Sequence, residues 1–433
     1  MLLALLAPLY RATPARGAES APGDTLDLGS LVREALAANP EIAGARELWR
    51  ASEARVPAAG ALDDPMLELE LMDQPFRGAG AGERVVSLTQ AIPFPGKRGL
   101  QSETARWESE AARARAIDAA RRIVTEVKVA YFELFEAESR LDAMRDSRSA
   151  LADAIATTRA RYEAGLAGQP DLLLAKVEAA ELDGEIGHLG ALASAARARI
   201  NLLVGREAAA PLGRARVDSL SPFDASRGAL DALRARARAE RPSVLAMKRE
   251  VAAADAASRQ ARVAYRPDFL ISAGYEEMSD AIDEWRAAVG VTLPIWKARK
   301  QNAGAREAER RLAAARNALT AEQNRAASAV EEQFAHVSSE REIVRLYEAE
   351  ILPLADLAVQ SARAGYASGQ ATFLVLLESL RKQIALTQSY AEYFADAEMH
   401  LAQLEEAVGA DLAGIQFDLD PDAGPDSTKE TDR

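Results

Sequence analysis

Apolar and polar residues alternate with a period of two in four short runs and follow a helical period almost everywhere else. Met66 to Gln74 (MLELELMDQ) sets Leu67, Leu69 and Leu71 on one side and Glu68 and Glu70 on the other, which predicts a strand with unlike faces. Arg84 to Ile92 (RVVSLTQAI) follows a Gly- and Pro-containing loop from Gln74 to Glu83. Phe269 to Met278 and Trp285 to Leu293 repeat the pair around Ser279 to Glu284. Each run is close to the 9–11 residues with which a tilted strand crosses a bilayer. A hairpin packed on a soluble core has the same alternation, so the strands alone leave both placements open.

The helical segments are long. Gly99 to Tyr162 holds no Pro and no interior Gly, and as one helix it would measure about 95 Å. Arg299 to Tyr366 would reach about 100 Å, with a kink expected at Pro353. Asp171 to Leu203, Ala371 to Val408, Leu230 to Tyr265 and Gly29 to Leu62 predict helices of roughly 50–57 Å, the last shortened by Pro57. Two short helices end to end match one long helix, as a tall helical cylinder requires.

The chain states this pattern twice. Asn39-Pro40, Asp64-Pro65, Ile92-Pro93 and Tyr162-x-x-Gly165 are followed by Arg241-Pro242, Arg266-Pro267, Leu293-Pro294 and Tyr366-x-x-Gly369. The offsets are 242 − 40 = 202, 267 − 65 = 202, 294 − 93 = 201 and 369 − 165 = 204. Four landmarks in one order, with matching segment types between them, indicate an internal duplication. The expected organisation is a first repeat over 24–228 and a second over 229–410. Residues 1–23 read as a signal peptide and linker, with an apolar run from Met1 to Tyr10 and a small-x-small site at Ala15-Arg16-Gly17. Residues 411–433, rich in Asp, Pro, Gly, Ser and Thr, read as a disordered tail.

Composition sharpens this reading by exclusion. Charged residues make up 27% and aromatics 5%, and the Ala-, Arg- and Glu-rich stretches favour extended helices. The absence of Cys excludes disulfides, thiolate metal sites, a Cys nucleophile and a Cys-linked lipid anchor. His188, His336 and His400 are scattered and Met residues dispersed, so neither a metal nor a cofactor is assigned. A formal charge of −13 argues against nucleic acid as the partner. No stretch is long and apolar enough for a membrane helix, so a membrane span would be made by strands. Four strands alone leave open edges; a dimer would give eight strands and a filled interior, a trimer twelve and room for a pore.

This arrangement resembles the TolC family of bacterial outer-membrane efflux proteins over residues 26–410. The resemblance is carried by the duplicated turns Arg161-Tyr162-Glu163-Ala164-Gly165-Leu166, with Asp171-Leu172-Leu173 beyond, and Gly365-Tyr366-Ala367-Ser368-Gly369, with Val375-Leu376-Leu377-Glu378 beyond. Gln90-Ala91-Ile92-Pro93-Phe94-Pro95-Gly96-Lys97-Arg98 resembles the strand-to-helix passage of the heavy-metal and cation efflux branch. The family implies a mainly α fold with a small β part: a homotrimer with a twelve-stranded transmembrane barrel, four strands per chain, above a long periplasmic helical barrel. It implies no enzymatic activity. The implied function is that of the outer-membrane channel of a tripartite pump, a passive conduit working with a periplasmic adaptor and an inner-membrane pump of RND type.

The same resemblance assigns Tyr162, Gly165, Leu166, Tyr366 and Gly369 to helix-tip turns where an adaptor docks. It places Asp171, Glu378 and Val375 at the periplasmic aperture; Val375 stands where the family pattern has an acid. Glu68 and Glu70 are expected in the barrel lumen, and Leu67, Leu69, Leu71, Val289, Val291 and Leu293 on its lipid face. Metal, drug or protein export all fit this fold. A soluble helical scaffold accounts for the rods but for neither the duplicated strand pairs nor the signal, and a hydrolase lacks any nucleophile elbow or metal motif.

Overall fold

The structure is a computed structural model, and it describes residues 25–72, 83–165, 167–277, 282–412 and 419. In chain order the elements are β1 (Thr25–Leu26), α1 (Leu28–Ala38), α2 (Pro40–Ala59), β2 (Met66–Met72), β3 (Glu83–Ile92), α3 (Lys97–Glu163) and α4 (Gln169–Leu203). They continue with β4 (Arg214–Ala215), α5 (Arg227–Glu240), α6 (Pro242–Val263), β5 (Phe269–Glu277), β6 (Glu284–Val291) and α7 (Gln301–Leu346). A π-helical turn (Tyr347–Ile351), α8 (Leu352–Ser368) and α9 (Phe373–Val408) complete the chain. Helix accounts for 73% and strand for 10%, as the mainly α expectation required. The expected signal region and Leu166 lie outside the described residues, as does nearly all of the expected tail.

Prolines divide the helices where the sequence reading ran them together. Gly29 to Leu62 is two helices, because the ring of Pro40 disfavours helical backbone at the residue before it. Asn39 takes an extended conformation there, and its Oδ1 accepts from the amides of Glu41 at 2.9 Å and Ile42 at 3.4 Å, capping α2. Arg241-Pro242 separates α5 from α6 in the same way. Pro57 sits in the last turn of α2 without shortening it, since the helix runs on to Ala59. Where a kink is expected at Pro353, a π-helical turn stands just before the proline. The wider turn accommodates a ring that would clash with the carbonyl four residues earlier and that lacks an N–H.

The chain folds as two compact units that cut across the repeats. One combines Val127–Leu220 and Glu340–Met399 with the described residues up to Val32. Its core packs Leu141, Met144 and Leu151 of α3 with Leu182 and Leu189 of α4, Val359 and Tyr366 of α8, and Phe373, Leu377 and Leu380 of α9. The two-residue strands β1 and β4, too short for any periodicity to reveal, pair in parallel beside it. Tyr131 holds them, its hydroxyl 2.9 Å from the carbonyl of Arg216 and 3.2 Å from that of Leu26. The buried Glu138 accepts from the Ala215 amide at 3.0 Å.

The other unit combines Arg33–Glu126 and Ser221–Ser339 with the chain from His400 onward. Ala237, Val244, Val330, Phe334, Val337, Leu401 and Leu404 form its helical core. It also carries an antiparallel sheet in the order β2-β3-β5-β6. The central pair, β3 with β5, joins the two repeats from Arg84↔Glu277 to Ile92↔Phe269, so both repeats contribute to one sheet. The order continues past the expected start of the tail: Asp411 accepts from Arg121 at 3.0 Å, and the Leu412 amide donates to Glu405 at 2.8 Å.

Candidate functional site: sheet faces and helix tips

The strand register sorts the sheet into unlike faces. Leu67 opposes Leu88, Leu69 opposes Val86 and Leu71 opposes Arg84; Ile271 opposes Val289 and Phe269 opposes Val291. Because side chains alternate across a strand, these residues share one face, and Leu67, Leu69, Leu71, Val86, Leu88, Ile271, Val289 and Val291 are all exposed on it. Leu293 lies just beyond β6 and is exposed as well. At the hairpin end of the same face, Tyr275 packs on Trp285 with ring centroids 5.2 Å apart, and Arg84 lies 3.6 Å from Glu277. The opposite face carries Glu68 and Glu70 with Ser87 and Thr89 nearby, together with a buried Glu276 paired to Arg286. The 10-residue β3 spans about 33 Å, or ~25 Å across a bilayer at a tilt of ~40°, the height of an outer-membrane apolar band. The edges of the sheet are β2 and β6.

The other unit holds both tip turns. Gly165 and Gly369 have φ of 74° and 76°, the left-handed conformation that ends a helix with little cost only at Gly. Their amides donate to the carbonyls of Tyr162 at 2.9 Å and Tyr366 at 3.2 Å. A side chain at Gly165 would meet nothing within 4 Å, so the first turn presents open backbone. The tyrosines have different fates. Tyr162 is 43% exposed, whereas Tyr366 is 4% exposed. The Tyr366 ring packs on Phe373 at 5.7 Å, its hydroxyl donates to the buried Thr158 at 3.1 Å, and Arg161 covers its other side. The Tyr366 side chain is therefore packed into the second turn, and of the two tyrosines only Tyr162 is open at the surface.

Of the aperture candidates, Asp171 lies half-buried in the first turn of α4, and Val375 and Glu378 are exposed one turn apart on α9. Val375 and Glu378 line a shallow groove with Ile351, Leu354, Lys382 and Leu386. Next to them Arg381 donates to the buried Glu178 of α4 at 2.6 Å and lies 3.7 Å from Glu181. The Glu178 hydrogen bond raises the Arg381 guanidinium above its ordinary value, and Glu181 and Glu378 add to the effect. Glu378 is thus one acid among several arranged around a fixed cation.

The sequence of this chain matches the model of the outer membrane efflux protein family over residues 31–206 and 233–410. The chain belongs to that family. One matched segment falls within each of the two expected repeats, and the family's channels are passive conduits, not enzymes. The fold is that of solved outer-membrane channels. It is similar to CusC, described with conformational changes that accompany folding and transmembrane channel formation, with TM-score 0.77, 19% identity and coverage of 89% of this chain and 92% of that one. It is similar to VceC of Vibrio cholerae, with TM-score 0.76, 18% identity and coverage of 88% and 96%. It is also similar to the open state of the MtrE outer-membrane channel of Neisseria gonorrhoeae, with TM-score 0.72, 18% identity and coverage of 88% and 89%. No curated protein matches by sequence.

Sequence reasoning missed the residue that ties this efflux protein's tip together. Arg161 stands just before Tyr162 in the first turn, whereas the second turn has Gly365 at the matching place, and that asymmetry is the signal the sequence carries. A side chain at residue 365 would sit 3.1 Å from the Cβ of Ala371, so the second turn closes tightly where the first supplies an arginine. Two of the scattered histidines also meet: the rings of His336 and His400 stack at 4.7 Å, which their sequence separation concealed.

Proposed function

We propose that three copies of this chain join their sheets into a twelve-stranded barrel in the outer membrane of a Gram-negative bacterium. This channel is the outer component of a tripartite efflux system and extends into the periplasm. The observation that carries the reading is a sheet with one exposed and mainly apolar face, one more polar face and, among the described residues, two unpaired edges. Such a sheet is costly in a bilayer until its edges are closed, and a closed twelve-stranded ring leaves an aqueous lumen. Glu68, Glu70 and Arg286 then face water inside the ring, with the buried Glu276 paired to Arg286 on the same side, and Leu67, Leu69, Leu71, Val289 and Val291 face lipid.

The conduit supplies no energy. An inner-membrane pump of RND type drives export, and a periplasmic adaptor joins it to the helix tips at Tyr162, Gly165, Leu166 and Gly369. The aperture is formed around Asp171, Val375 and Glu378, where the carboxylates with Glu178 and Glu181 outnumber Arg381 and Lys382 and favour cations. Metal cations are the cargo this reading selects; drug efflux and type I secretion are its competitors within the same fold. Deleting the gene and measuring growth over graded metal salts, dyes and an exported protein separates them. Hypersensitivity to metal salts alone supports the cation reading, and sensitivity to dyes alone replaces it with drug export.

A further inference from the structure

The two repeats treat their strand-to-helix passages differently. In the first, every basic group is used by the fold: Lys97 Nζ donates to Asp268 and to the carbonyl of Arg266, each at 2.8 Å, and Arg98 Nε donates to the carbonyl of Gly60 at 2.8 Å. Phe94 is covered by the guanidinium of Arg266 at 5.4 Å. The second passage, Leu293-Pro294-Ile295-Trp296-Lys297-Ala298-Arg299-Lys300, is turned outward. Leu293, Ile295 and Trp296 are exposed, Trp296 by 68%. Lys297, Arg299 and Lys300 are exposed too, and none of them forms an ion pair or a side-chain hydrogen bond among the described residues. No acidic residue occurs between Leu293 and Arg306, in a chain whose net charge is −13.

The passage follows directly from β6, at the end of the sheet opposite Trp285 and Tyr275. The 8-residue β6 covers about 26 Å along its axis, or ~20 Å across a bilayer at a tilt of ~40°. Trp285, which is 81% exposed, and Trp296 thus bracket a length close to the apolar band, where aromatic girdles sit at the two interfaces of a barrel. Beside Trp296 come cations without side-chain partners among the described residues. Aromatic rings belong at headgroup depth, and clustered Lys and Arg next to a membrane attract anionic lipid.

We propose that Trp296, Lys297, Arg299 and Lys300 form a binding site for anionic phospholipid headgroups in the periplasm-facing leaflet of the outer membrane, one site per chain. The site rests on the barrel reading above, since it needs β6 to lie in the bilayer. Leu293 and Ile295 contact the acyl chains, Trp296 lies at the level of the glycerol backbone, and the three cations hold headgroup phosphates.

The test is native mass spectrometry of the full-length detergent-purified protein offered phosphatidylglycerol or phosphatidylcholine. The natural protein is expected to retain phosphatidylglycerol preferentially. Combined Lys297→Gln, Arg299→Gln and Lys300→Gln is expected to reduce that retention at least about tenfold. Combined Arg159→Gln, Lys176→Gln and Arg363→Gln, with the same loss of charge, is expected to leave it unchanged. Equal retention of both lipids by the natural protein, or an unaffected preference in the first triple variant, overturns the site while leaving the barrel intact. Loss of oligomer in the first triple variant reassigns the cations to a contact between chains and also overturns it. A protein that holds neither lipid and stays soluble without detergent removes the barrel reading and the site together.

Discussion

Arg161 joins the two tip turns through Tyr366. Its guanidinium carbon lies 4.8 Å from the centre of the Tyr366 ring, and Nη1 donates to the Tyr366 carbonyl at 2.6 Å and to that of Ala367 at 3.2 Å. A charge-assisted hydrogen bond and a cation–π contact at one residue hold the end of α8 against the end of α3. Arg161→Ala removes both, and is expected to loosen the tip and raise single-channel conductance in planar bilayers several-fold. Tyr366→Phe removes only the hydroxyl bond to Thr158 and is expected to raise it less. Unchanged conductance in Arg161→Ala would show that the tie does not restrict passage.

The sheet register makes a sharp contrast between neighbours. Leu69 shares the exposed apolar face with Val86, and Glu68 faces the other way with Ser87. Leu69→Arg is expected to cost about 2–4 kcal/mol if the residue lies near the bilayer midplane, depleting the oligomer band on unheated gels of outer membranes. Glu68→Gln is expected to leave that band as it is. Equal tolerance of both would argue that this face meets no lipid.

Two glycines with similar backbone angles differ in their surroundings. At Gly409, φ is 80° and an added Cβ would lie 2.8 Å from Pro242 Cδ and 2.9 Å from Arg241 Cα. Gly409→Ala combines left-handed strain with overpacking and is expected to cost about 2–5 kcal/mol. Gly165→Ala meets open space and carries only the strain, ~1 kcal/mol. Thermal melts of the purified variants should therefore rank Gly409→Ala well below Gly165→Ala.

Half-buried carboxyls give the helical part of the sheet-bearing unit a pH dependence. Burial pushes Asp118 up, aided by Glu322, while Arg241, the Ser243 amide and Arg122 oppose the shift. Burial pushes Glu406 up as well, aided by Asp118, against Thr125, Arg241 and Arg122. Both acids bind protons more tightly folded than unfolded, so stability is fullest below the ordinary carboxylate range and falls as pH rises through the raised values. Asp118→Asn and Glu406→Gln are each expected to raise the melting temperature at pH 7.5. The gain should shrink towards pH 4, and a gain that grows on acidification would reverse the sign of the linkage.

The strands were legible because alternation of Leu with Glu has no helical counterpart. The repeat was legible because prolines mark the same element boundaries in both halves. The breaks at Asn39 and Arg241 were written in the same prolines, but a helical hydrophobic period continues through both and hid them. Local pattern also gave Tyr162 and Tyr366 equal standing. Their difference comes from Arg161 and Thr158, which meet Tyr366 only after the chain has doubled back. The pairing of Arg381 with Glu178 was hidden for the same reason. A motif records a turn, and only packing records which side chains fill the space beside it.

Closure of the barrel between chains can be tested directly because the protein has no cysteine of its own. One cysteine in β2 at Leu69 and one in β6 at Ala287, Ala288 or Val289 would place thiols on the two edge strands. Within one chain those edges are separated by β3 and β5, roughly 14 Å away, too far for an internal disulfide. Oxidising such variants in outer membranes is predicted to yield, for at least one of the β6 positions, a covalent trimer that is the largest species on a denaturing gel. Monomer at all three positions, or a ladder that passes beyond the trimer, would contradict a closed ring of three chains.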